Sequence, residues 1–405
     1  MSTILIDENQ DVWVCGNNKD GQLGLGHNDD IYEFIKIPDF KAISVSHNFY
    51  TIFITENYDI YTCGDNRDGQ LGLSHNDDVN IPTKIPDFKA ISVSCSEYHT
   101  VFITQDHDVY VCGYNFYGQL GLGHNDNVDI PTKIPDFKAV LVSCGDYHTV
   151  FITENYDVYS CGDNRDGRLG LGHNDDVYIP TKIINFKAMS VSCGSRHTVF
   201  ITENNDVYVC GYNYCGQLGL GHNDNIETPI KIPDLKSISA SCGGNYTIFI
   251  TENYDVYVCG DNVNCQLGLG YDDDDDIDTP TKIPNFKAIS ASCGRYYSTF
   301  ITENYDVYVC GFNYSGQLGL SCFTDDVKIP TKIPDFKAVS VYCIHNHTVF
   351  INEDYDVYSC GYNIYGQLGL GHRNNIRTPT KIPNFDFKPL LQKRRFGKTK
   401  SARNI

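Results

Sequence analysis

The chain has 405 residues, 41% of them hydrophobic, and a formal net charge of −20 at pH 7. A surface this acidic repels nucleic acid and anionic lipid, so neither is an expected partner of the body of the protein. The sequence has no apolar run of 18 residues and opens without a basic segment followed by an apolar one. We therefore expect an intracellular protein, in the cytoplasm or the nucleus, that is neither secreted nor bound to a membrane.

The first predicted elements are three short strands, at Thr3–Ile6, Asp11–Cys15 and Glu33–Ile37. The second strand leads into a motif, Cys-Gly, x-Asn-x-x, Gly-Gln-Leu-Gly-Leu, that recurs eight times with little change at intervals of 48 to 51 residues. A period this regular predicts a closed or stacked repeat protein, because one unit cannot bury its apolar surface alone. The motif cysteines are Cys15, Cys63, Cys112, Cys161, Cys210, Cys259, Cys310 and Cys360.

A representative unit, Phe137–Asn185, contains four predicted strands: Val140–Cys144, His148–Thr153, Asp157–Cys161 and Val177–Ile183. Each is rich in β-branched and aromatic residues and is bounded by Gly, Asn, Asp or Pro. The second strand is apolar without alternation, which indicates that both of its faces are covered, as in the packed blades of a β-propeller. No segment has helical periodicity. The predicted fold class is therefore all-β.

The strand count predicts how the ring closes. The three opening strands lack the first strand of a unit, and seven complete units follow them. At the other end, Phe387-Lys-Pro-Leu-Leu-Gln aligns with Phe137-Lys-Ala-Val-Leu-Val, which begins a unit. Pairing of the N- and C-terminal segments would complete the first blade and remove the open edges of an array. We predict a single closed β-propeller with eight blades.

Residues that recur in every unit are interpreted as scaffold. The glycines of the loop from Gly113 to Gly123 permit positive φ angles, and the constant Asn, such as Asn115, is expected to hydrogen-bond its own loop. Cysteines in fixed register behave as small buried hydrophobes. Recurrent histidines, such as His148, are more consistent with structural hydrogen bonds than with catalysis. Since no catalytic motif appears either, we predict no enzyme, no metal and no cofactor.

Function is expected where the units differ. Strand parity places the turn after strand one and the glycine-rich loop after strand three on one face of the ring, and the nearly constant turns on the other. Beside the constant Asn, some units carry charged residues and others carry aromatic ones. Aromatic and Arg side chains often anchor protein interfaces, although single exposed aromatic residues are also common. The predicted partner-binding residues are Tyr114, Phe116, Tyr117, Arg165, Tyr212, Tyr214, Phe312, Tyr314, Tyr362 and Tyr365.

Three recurring segments resemble the RCC1 (regulator of chromosome condensation) repeat. They are Ser-Cys-Gly-Asp-Tyr-His-Thr-Val-Phe-Ile-Thr at Ser143–Thr153, Asp-Val-Tyr-Ser-Cys-Gly at Asp157–Gly162, and Gly-Gln-Leu-Gly-Leu-Gly at Gly118–Gly123. The resemblance covers residues 1 to about 387 and implies an RCC1-like propeller. Such propellers usually have seven blades, so seven is the alternative to the eight counted from the strands.

The resemblance also suggests classes of function. The founding member of the family is an exchange factor for a Ran-type GTPase and docks on nucleosomes, and many relatives are protein-interaction modules. Nucleotide exchange by the founding member depends partly on a wedge inserted between strands. The regular intervals between the repeats of this chain leave no room for such an insertion. We therefore expect a non-enzymatic, monomeric protein-interaction scaffold with an unidentified protein partner. The alternatives are a guanine-nucleotide exchange factor for a Ran-like small GTPase and a chromatin-associated binding protein.

The C-terminal segment differs from the rest in charge. We divide the chain into an RCC1-like propeller at 1–387 and a basic strand and tail at 388–405. The tail has seven basic residues and no acidic ones, which is typical of a nuclear-localisation or nucleic-acid-binding segment, or of one that folds back on an acidic body. Only here is contact with nucleic acid expected. The main basic residues of the tail are Lys393, Arg394, Arg395, Lys398 and Lys400.

Overall fold

The computed structural model describes residues 1–270, 276–321 and 326–383. In these ranges the chain forms eight antiparallel sheets that follow one another along the sequence, with no α-helix. One sheet has three strands and seven have four, each in sequential order. They are the eight blades of a β-propeller, numbered here from the N-terminus. Within the same ranges there is accordingly no helix that could cross a membrane.

The strands occupy four repeated positions, and blade 1 has no first strand among the described residues. The first strands, in blades 2 to 8, are Ser44–His47, Ser92–Cys95, Leu141–Cys144, Ser190–Cys193, Ser239–Cys242, Ser290–Cys293 and Ser340–Ile344. The second strands, in blades 1 to 8, are Ser2–Ile6, Tyr50–Ile54, His99–Ile103, His148–Ile152, His197–Ile201, Tyr246–Ile250, Tyr297–Ile301 and His347–Ile351.

The third and fourth strands complete each blade. The third strands are Asp11–Gly16, Asp59–Gly64, Asp108–Gly113, Asp157–Gly162, Asp206–Gly211, Asp255–Gly260, Asp306–Gly311 and Val357–Gly361. The fourth strands are Ile31–Lys41, Val79–Lys89, Val128–Lys138, Val177–Lys187, Ile226–Lys236, Ile277–Lys287, Val327–Lys337 and Ile376–Lys381.

The hydrophobic core lies between the blades. First strands of neighbouring blades contact one another, so they lie nearest the axis of the ring. The second strands of blades 2 to 8 are buried along their whole length, as their lack of alternation predicts. In one such interface, Val101, Val109 and Leu120 of blade 3 pack with Phe151 and Cys161 of blade 4. Each blade therefore depends on its neighbours to bury its apolar faces.

The fourth strands are longer than the sequence predicts. In blade 4 the strand covers Val177–Lys187, whereas the prediction ended it at Ile183. The chain does not turn there but passes through a register shift, after which Lys187 lies opposite Asp157. Asn185 has a φ of 57° within the shift, a conformation that Asn tolerates. A register shift therefore replaces the predicted end of the strand.

Neighbouring blades are joined by a repeated set of hydrogen bonds. Between blades 3 and 4, the Thr149 hydroxyl donates to the carbonyl oxygen of Gln119 at 2.8 Å and lies 2.9 Å from Nε2 of His99. Because the hydroxyl proton is already donated to the carbonyl, Nε2 of His99 must donate to the Thr149 oxygen. His99 is fully buried, and desolvation lowers its pKa to about 3. The histidine in this joint is therefore neutral at physiological pH.

The same bonds join blade 8 to blade 1 and close the ring. The Thr3 hydroxyl donates to the carbonyl oxygen of Gln367 at 2.8 Å and lies 3.0 Å from Nε2 of His347. This contact between the two ends of the chain repeats the joint between adjacent blades elsewhere, so eight blades complete the circle. The eight-blade count is confirmed, and the seven-blade alternative is wrong. The segment predicted to complete blade 1, residues 387–392, lies outside the described residues.

Candidate protein-interaction face

The glycine-rich loop after each third strand is held by its constant Asn. In blade 3, the side-chain oxygen of Asn115 accepts a hydrogen bond from the backbone of Leu120 at 2.9 Å, and its amide donates to the carbonyl oxygen of His124 at 2.8 Å. Asn115 is fully buried. These bonds fix the loop from within, as predicted, so the residues beside Asn115 can vary without loss of the loop.

The glycine-rich loop and the turn after the first strand lie on one face of the ring, as strand parity predicts. In blade 3, the backbone N–H of Tyr114 donates to the carbonyl oxygen of Tyr98 at 2.9 Å. On the opposite face, the backbone N–H of Ala90 donates to the carbonyl oxygen of Tyr58 at 3.1 Å. We call the first of these the variable face and the second the constant face.

Five aromatic rings form one cluster on the variable face of blades 3 and 4: Tyr98, Tyr114, Phe116, Tyr117 and Tyr147. In this five-ring cluster, Tyr98 and Tyr147 come from the turns of neighbouring blades and stack with centroids 5.3 Å apart and an interplanar angle of 8°. Tyr117 meets Tyr147 at 5.3 Å and Phe116 at 5.1 Å, both edge to face. The cluster therefore joins two blades into one surface.

An arginine–aspartate network continues this surface through blade 4 to blade 5; it consists of Asp163, Arg165, Asp166, Arg168 and Arg196. Oδ2 of Asp163 lies 2.7 Å from Nη2 of Arg165 and 3.2 Å from Nη1 of Arg168. Asp166 binds Arg168 and also Arg196, whose Nε and Nη2 each lie 3.0 Å from a carboxylate oxygen. Five charged groups on two blades are thus connected without a gap.

Each exposed arginine of the network lies over an aromatic ring. The guanidinium carbon of Arg165 is 4.9 Å from the ring centroid of Tyr117, and that of Arg196 is 4.1 Å from the centroid of Tyr212. Such cation–π contacts contribute about 0.5 to 1 kcal/mol at exposed sites. Burial opposes the charge of Asp163, but the hydrogen bonds and charges of its arginine partners outweigh burial and lower its pKa. Asp163 is therefore ionised at neutral pH.

The other predicted residues form three stacked or edge-on pairs. The pairs are Tyr212 with Tyr214 in blade 5, Phe312 with Tyr314 in blade 7, and Tyr362 with Tyr365 in blade 8, with ring centroids 6.3 to 6.4 Å apart. The blade 5 pair adjoins the network through Arg196. In blade 8, Nζ of Lys19 lies 5.4 Å from the centroid of Tyr365. The structure thus joins the predicted residues of blades 3 to 5 and places those of blades 7 and 8 elsewhere on the ring.

Exposure differs strongly among the predicted residues. Tyr314 is 79% exposed, Tyr214 is 70% exposed and Phe116 is 56% exposed. Tyr114 and Tyr117 are only partly exposed because they pack within the five-ring cluster. Among the predicted residues, these three exposed rings are best placed to pack against a partner protein.

Sequence reasoning did not find Tyr98, Tyr147 or Arg168. A signal was present for the tyrosines, because the turn after the first strand also carries Phe49 and Tyr296 at the corresponding position. Arg168 occupies the motif position that holds Gln in the other seven units. What the sequence alone does not show is that these residues contact the predicted ones across blade boundaries.

Two groups of residues noted in the sequence lie away from this face's surface. The histidines of the second strands, His99, His148, His197 and His347, are fully buried. The eight motif cysteines are also buried, and the described cysteines are free thiols.

Within the described ranges, no group of three or more His, Cys, Asp or Glu is placed to hold a metal ion. The basic residues predicted for the tail, from Lys393 to Lys400, lie outside the described residues.

Two family models match the sequence. The model described as the RCC1-like domain matches residues 42–242, and the model described as the regulator of chromosome condensation (RCC1) repeat matches residues 255–301, 306–351 and 355–393. A search of curated proteins found no match.

Solved structures show the same fold. Human WBSCR16 is 21% identical and has a TM-score of 0.65, over 80% of this chain and 93% of its own. Yeast RCC1 (Prp20), in its complex with Kap60, is 21% identical with a TM-score of 0.66, over 85% and 88%. A second Saccharomyces cerevisiae Prp20p structure is 22% identical with a TM-score of 0.63, over 84% and 91%. From the eight repeats, their propeller fold and the matching family models, the chain belongs to the RCC1 repeat family.

Proposed function

We propose that this propeller is a protein-interaction scaffold that binds a partner protein through its variable face. The observation that carries the proposal is the asymmetry between the two faces. On the variable face, large exposed rings such as Phe116, Tyr214 and Tyr314 alternate with charged loops. The constant face repeats nearly the same turn in each blade. Only a surface that differs from blade to blade can recognise one asymmetric partner in one orientation.

The proposal assigns no catalytic residue. The recurrent histidines of the second strands are fully buried and hold neighbouring blades together. The side chains offered to solvent on the variable face are aromatic rings and arginines, which are common anchors of protein interfaces. Rings stacked on guanidinium groups are also pre-ordered, so less conformational entropy is lost on binding.

The test is capture of partners from cells by the tagged chain, followed by mass spectrometry. We expect the triple variant Phe116→Ser, Tyr214→Ser, Tyr314→Ser to lose at least about tenfold of the specific partner signal, because exposed aromatic anchors commonly contribute 1 kcal/mol or more each. All three positions are exposed, so thermal unfolding should stay within about 2 °C of the wild type.

A matched control uses exposed rings of the constant face. The variant Tyr58→Asn, Tyr156→Asn, Tyr305→Asn removes three rings that are 38 to 42% exposed. Asn205 already stands at this position in blade 5 with a similar backbone conformation, so the change should not disturb the fold. Partner capture should be unaffected. Equal capture by the variable-face variant and the wild type would contradict the proposal.

The alternative function is guanine-nucleotide exchange on a Ran-like small GTPase. It is favoured by the likeness in fold to Prp20p, a protein whose structure is reported together with its binding properties to Gsp1p and histones. Against it, each described blade repeats the same strands without an added element that could act as a wedge. A fluorescent-nucleotide release assay over a panel of small GTPases separates the two. Accelerated release would make the scaffold proposal wrong, and histone capture without release would favour the chromatin-binding alternative.

A further inference from the structure

Blade 4 departs from the repeat at a buried position. Seven units carry Gln in the Gly-Gln-Leu-Gly motif, and blade 4 alone carries Arg168. The Arg168 side chain is only 2% exposed. Its Nε is buried without a hydrogen-bond partner among the described residues. Seven blades fold with Gln at this position, so the fold itself does not require a buried guanidinium here.

The contacts of Arg168 reach two carboxylates that are themselves buried. Its Nη1 lies 3.2 Å from Oδ2 of Asp163, and its Nη2 bonds Oδ2 of Asp166. The exposed fractions of the two aspartate side chains are 0% and 9%. Buried ionic clusters seldom stabilise a protein more than apolar residues of similar size would. A cluster found in one blade of eight therefore points to a role other than stability.

Each buried aspartate holds one exposed arginine. Asp163 binds Arg165 through Nε at 3.0 Å and Nη2 at 2.7 Å, and the Arg165 side chain remains 59% exposed. Asp166 binds Arg196 through Nε and Nη2, and that side chain remains 47% exposed. In both pairs the fork uses one edge of the guanidinium, which has five N–H donors in all. Further donors of both arginines are left for a ligand.

The network carries a surplus of one positive charge, because three arginines meet two aspartates. Two further acidic groups, Asp146 and Asp176, lie close to it, and Glu97 lies close to Asp146. At longer range these carboxylates cancel the surplus, so the site would attract a carboxylate through direct hydrogen bonds from the arginines and not through a long-range field. The rings of Phe116 and Tyr214, on the loops of the two flanking blades, offer apolar contact on either side.

We propose that Arg165 and Arg196, positioned through Arg168, form a recognition site for an acidic segment of the partner protein, with apolar partner side chains packing on Phe116 and Tyr214. The inference rests on the proposed scaffold function and names the chemistry of its partner. Arg168 is a positioning residue, since it acts through the two aspartates. A partner presenting basic residues is the opposing possibility that the test must separate.

The first experiment measures peptide binding to the full chain by fluorescence anisotropy. The probe is a labelled dodecapeptide with two Glu residues flanked by Phe and Leu, and its control has Lys in place of both Glu. We expect the Glu peptide to bind at least about tenfold more tightly than the Lys peptide, because charge-assisted bidentate bonds to arginine require a carboxylate. Equal or tighter binding of the Lys peptide would overturn the proposal.

The second experiment uses variants that the other blades already contain. Arg168→Gln restores the common motif residue, and the double variant Arg165→Val, Arg196→Asn copies Val263 and Asn245 at the equivalent positions. Both should reduce the preference for the Glu peptide to near unity while the chain stays folded. The matched control is Arg67→Val, which removes an exposed arginine held by Asp65 in blade 2, where the motif has Gln. It should leave peptide binding unchanged.

Partner capture then separates this inference from the function on which it rests. If the ring variant at positions 116, 214 and 314 loses the partner and Arg168→Gln also loses it, both proposals stand. If the ring variant loses the partner and Arg168→Gln keeps it, the acidic-segment inference is wrong and the scaffold function remains. If neither variant loses the partner, the scaffold function is wrong. The variant Arg165→Lys gives a further test. Lysine carries a point charge and cannot form the two parallel hydrogen bonds of arginine, so this variant should recover less than half of the peptide affinity that is lost when Arg165 is removed.

Discussion

At the scale of single residues, four of the joints between blades contain a buried histidine that bonds a threonine of the next blade. Nε2 of His197 lies 3.1 Å from the Thr247 hydroxyl of the next blade, and that hydroxyl donates to a backbone carbonyl, so Nε2 must carry the proton. Nδ1 of His197 is buried without a partner among the described residues. Protonation would add a charged N–H with no acceptor. Desolvation accordingly lowers the pKa of His197 to about 4.

This arrangement predicts that acid weakens the propeller before its carboxylates are protonated. The folded pKa values of His99 and His347 are about 3, below the ordinary value of 6.5 in the unfolded chain. At pH values between the folded and the unfolded pKa, the unfolded chain binds more protons than the folded chain. The contribution to stability is therefore complete above pH 6.5 and is lost as pH falls, by up to about 1.4 kcal/mol per pH unit for each histidine. The midpoint of urea unfolding should fall steadily from pH 6.5 to pH 4.5.

A double variant isolates the histidine contribution. Tyr246 and Tyr297 already occupy the same position in blades 6 and 7, where each hydroxyl bonds a backbone carbonyl of the next blade. The variant His148→Tyr, His197→Tyr should therefore fold and should show a shallower decline of the urea midpoint with falling pH. An unchanged slope would show that other groups cause the acid sensitivity.

At the scale of the element, the glycine-rich loop contains glycines with different roles. Gly113 ends the third strand with a φ of +108°, and a Cβ there would lie 2.8 Å from the Cα of His99. Gly123 has a φ of +85°, but the nearest atom to its Cβ would be 3.7 Å away. Ser74 stands at the position of Gly123 in another blade with a φ of 64°. Of these two positions, only that of Gly113 therefore requires glycine for a close backbone approach.

The two glycines give a matched pair of substitutions. Gly113→Ser should reduce the free energy of unfolding by about 2 to 4 kcal/mol, because it adds both backbone strain and a steric clash. Gly123→Ser copies Ser74 and should cost less than about 1 kcal/mol. Chemical unfolding of both variants is the measurement. Similar losses of stability in the two variants would show that glycine is required only for its positive φ, and not for the close packing of the loop against its own blade.

At the scale of the whole molecule, the ring closes by contacts between the two ends of the described chain. Thr3 of blade 1 bonds Gln367 of blade 8 in the same way that Thr149 bonds Gln119. The strand Ser2–Ile6 pairs on one side with Asp11–Gly16, and among the described residues no strand pairs with its inner side. In the other blades that side is occupied by the first strand. This is the edge that residues 387–392 are predicted to fill.

Two truncations test this prediction. A chain ending at residue 383 should unfold several degrees below the wild type, because it lacks the segment predicted to pair with Ser2–Ile6 and shield the closure joint. A chain ending at residue 392 keeps that segment and removes only the basic tail, so its melting temperature should match the wild type. Equal melting temperatures for all three chains would make the predicted strand pairing wrong.

The repeat, the fold class and the number of blades could be predicted from the amino-acid sequence. The regular spacing of the Cys-Gly motif and the four apolar runs per unit follow from local chain chemistry, and they predicted strands that the structure places within a few residues. The constant Asn was also predictable, because Asn115 bonds residues of its own loop. Where the prediction ended a strand too early, at Ile183, the strand continues past a register shift, and such a shift depends on the partner strand as well as on the local sequence.

The contacts among the variable residues could not be predicted from the sequence, because they form between blades. Tyr147 and Tyr98 lie 49 positions apart in the chain and stack because neighbouring blades bring their turns into contact. In the sequence, Arg168 is only one altered residue of the motif. Its burial and its contacts with two aspartates are seen only in the structure. Contacts within a unit depend on local sequence and can be read from it. Contacts between units depend on the angle and spacing of blades around a closed ring, and these follow from packing of the whole chain.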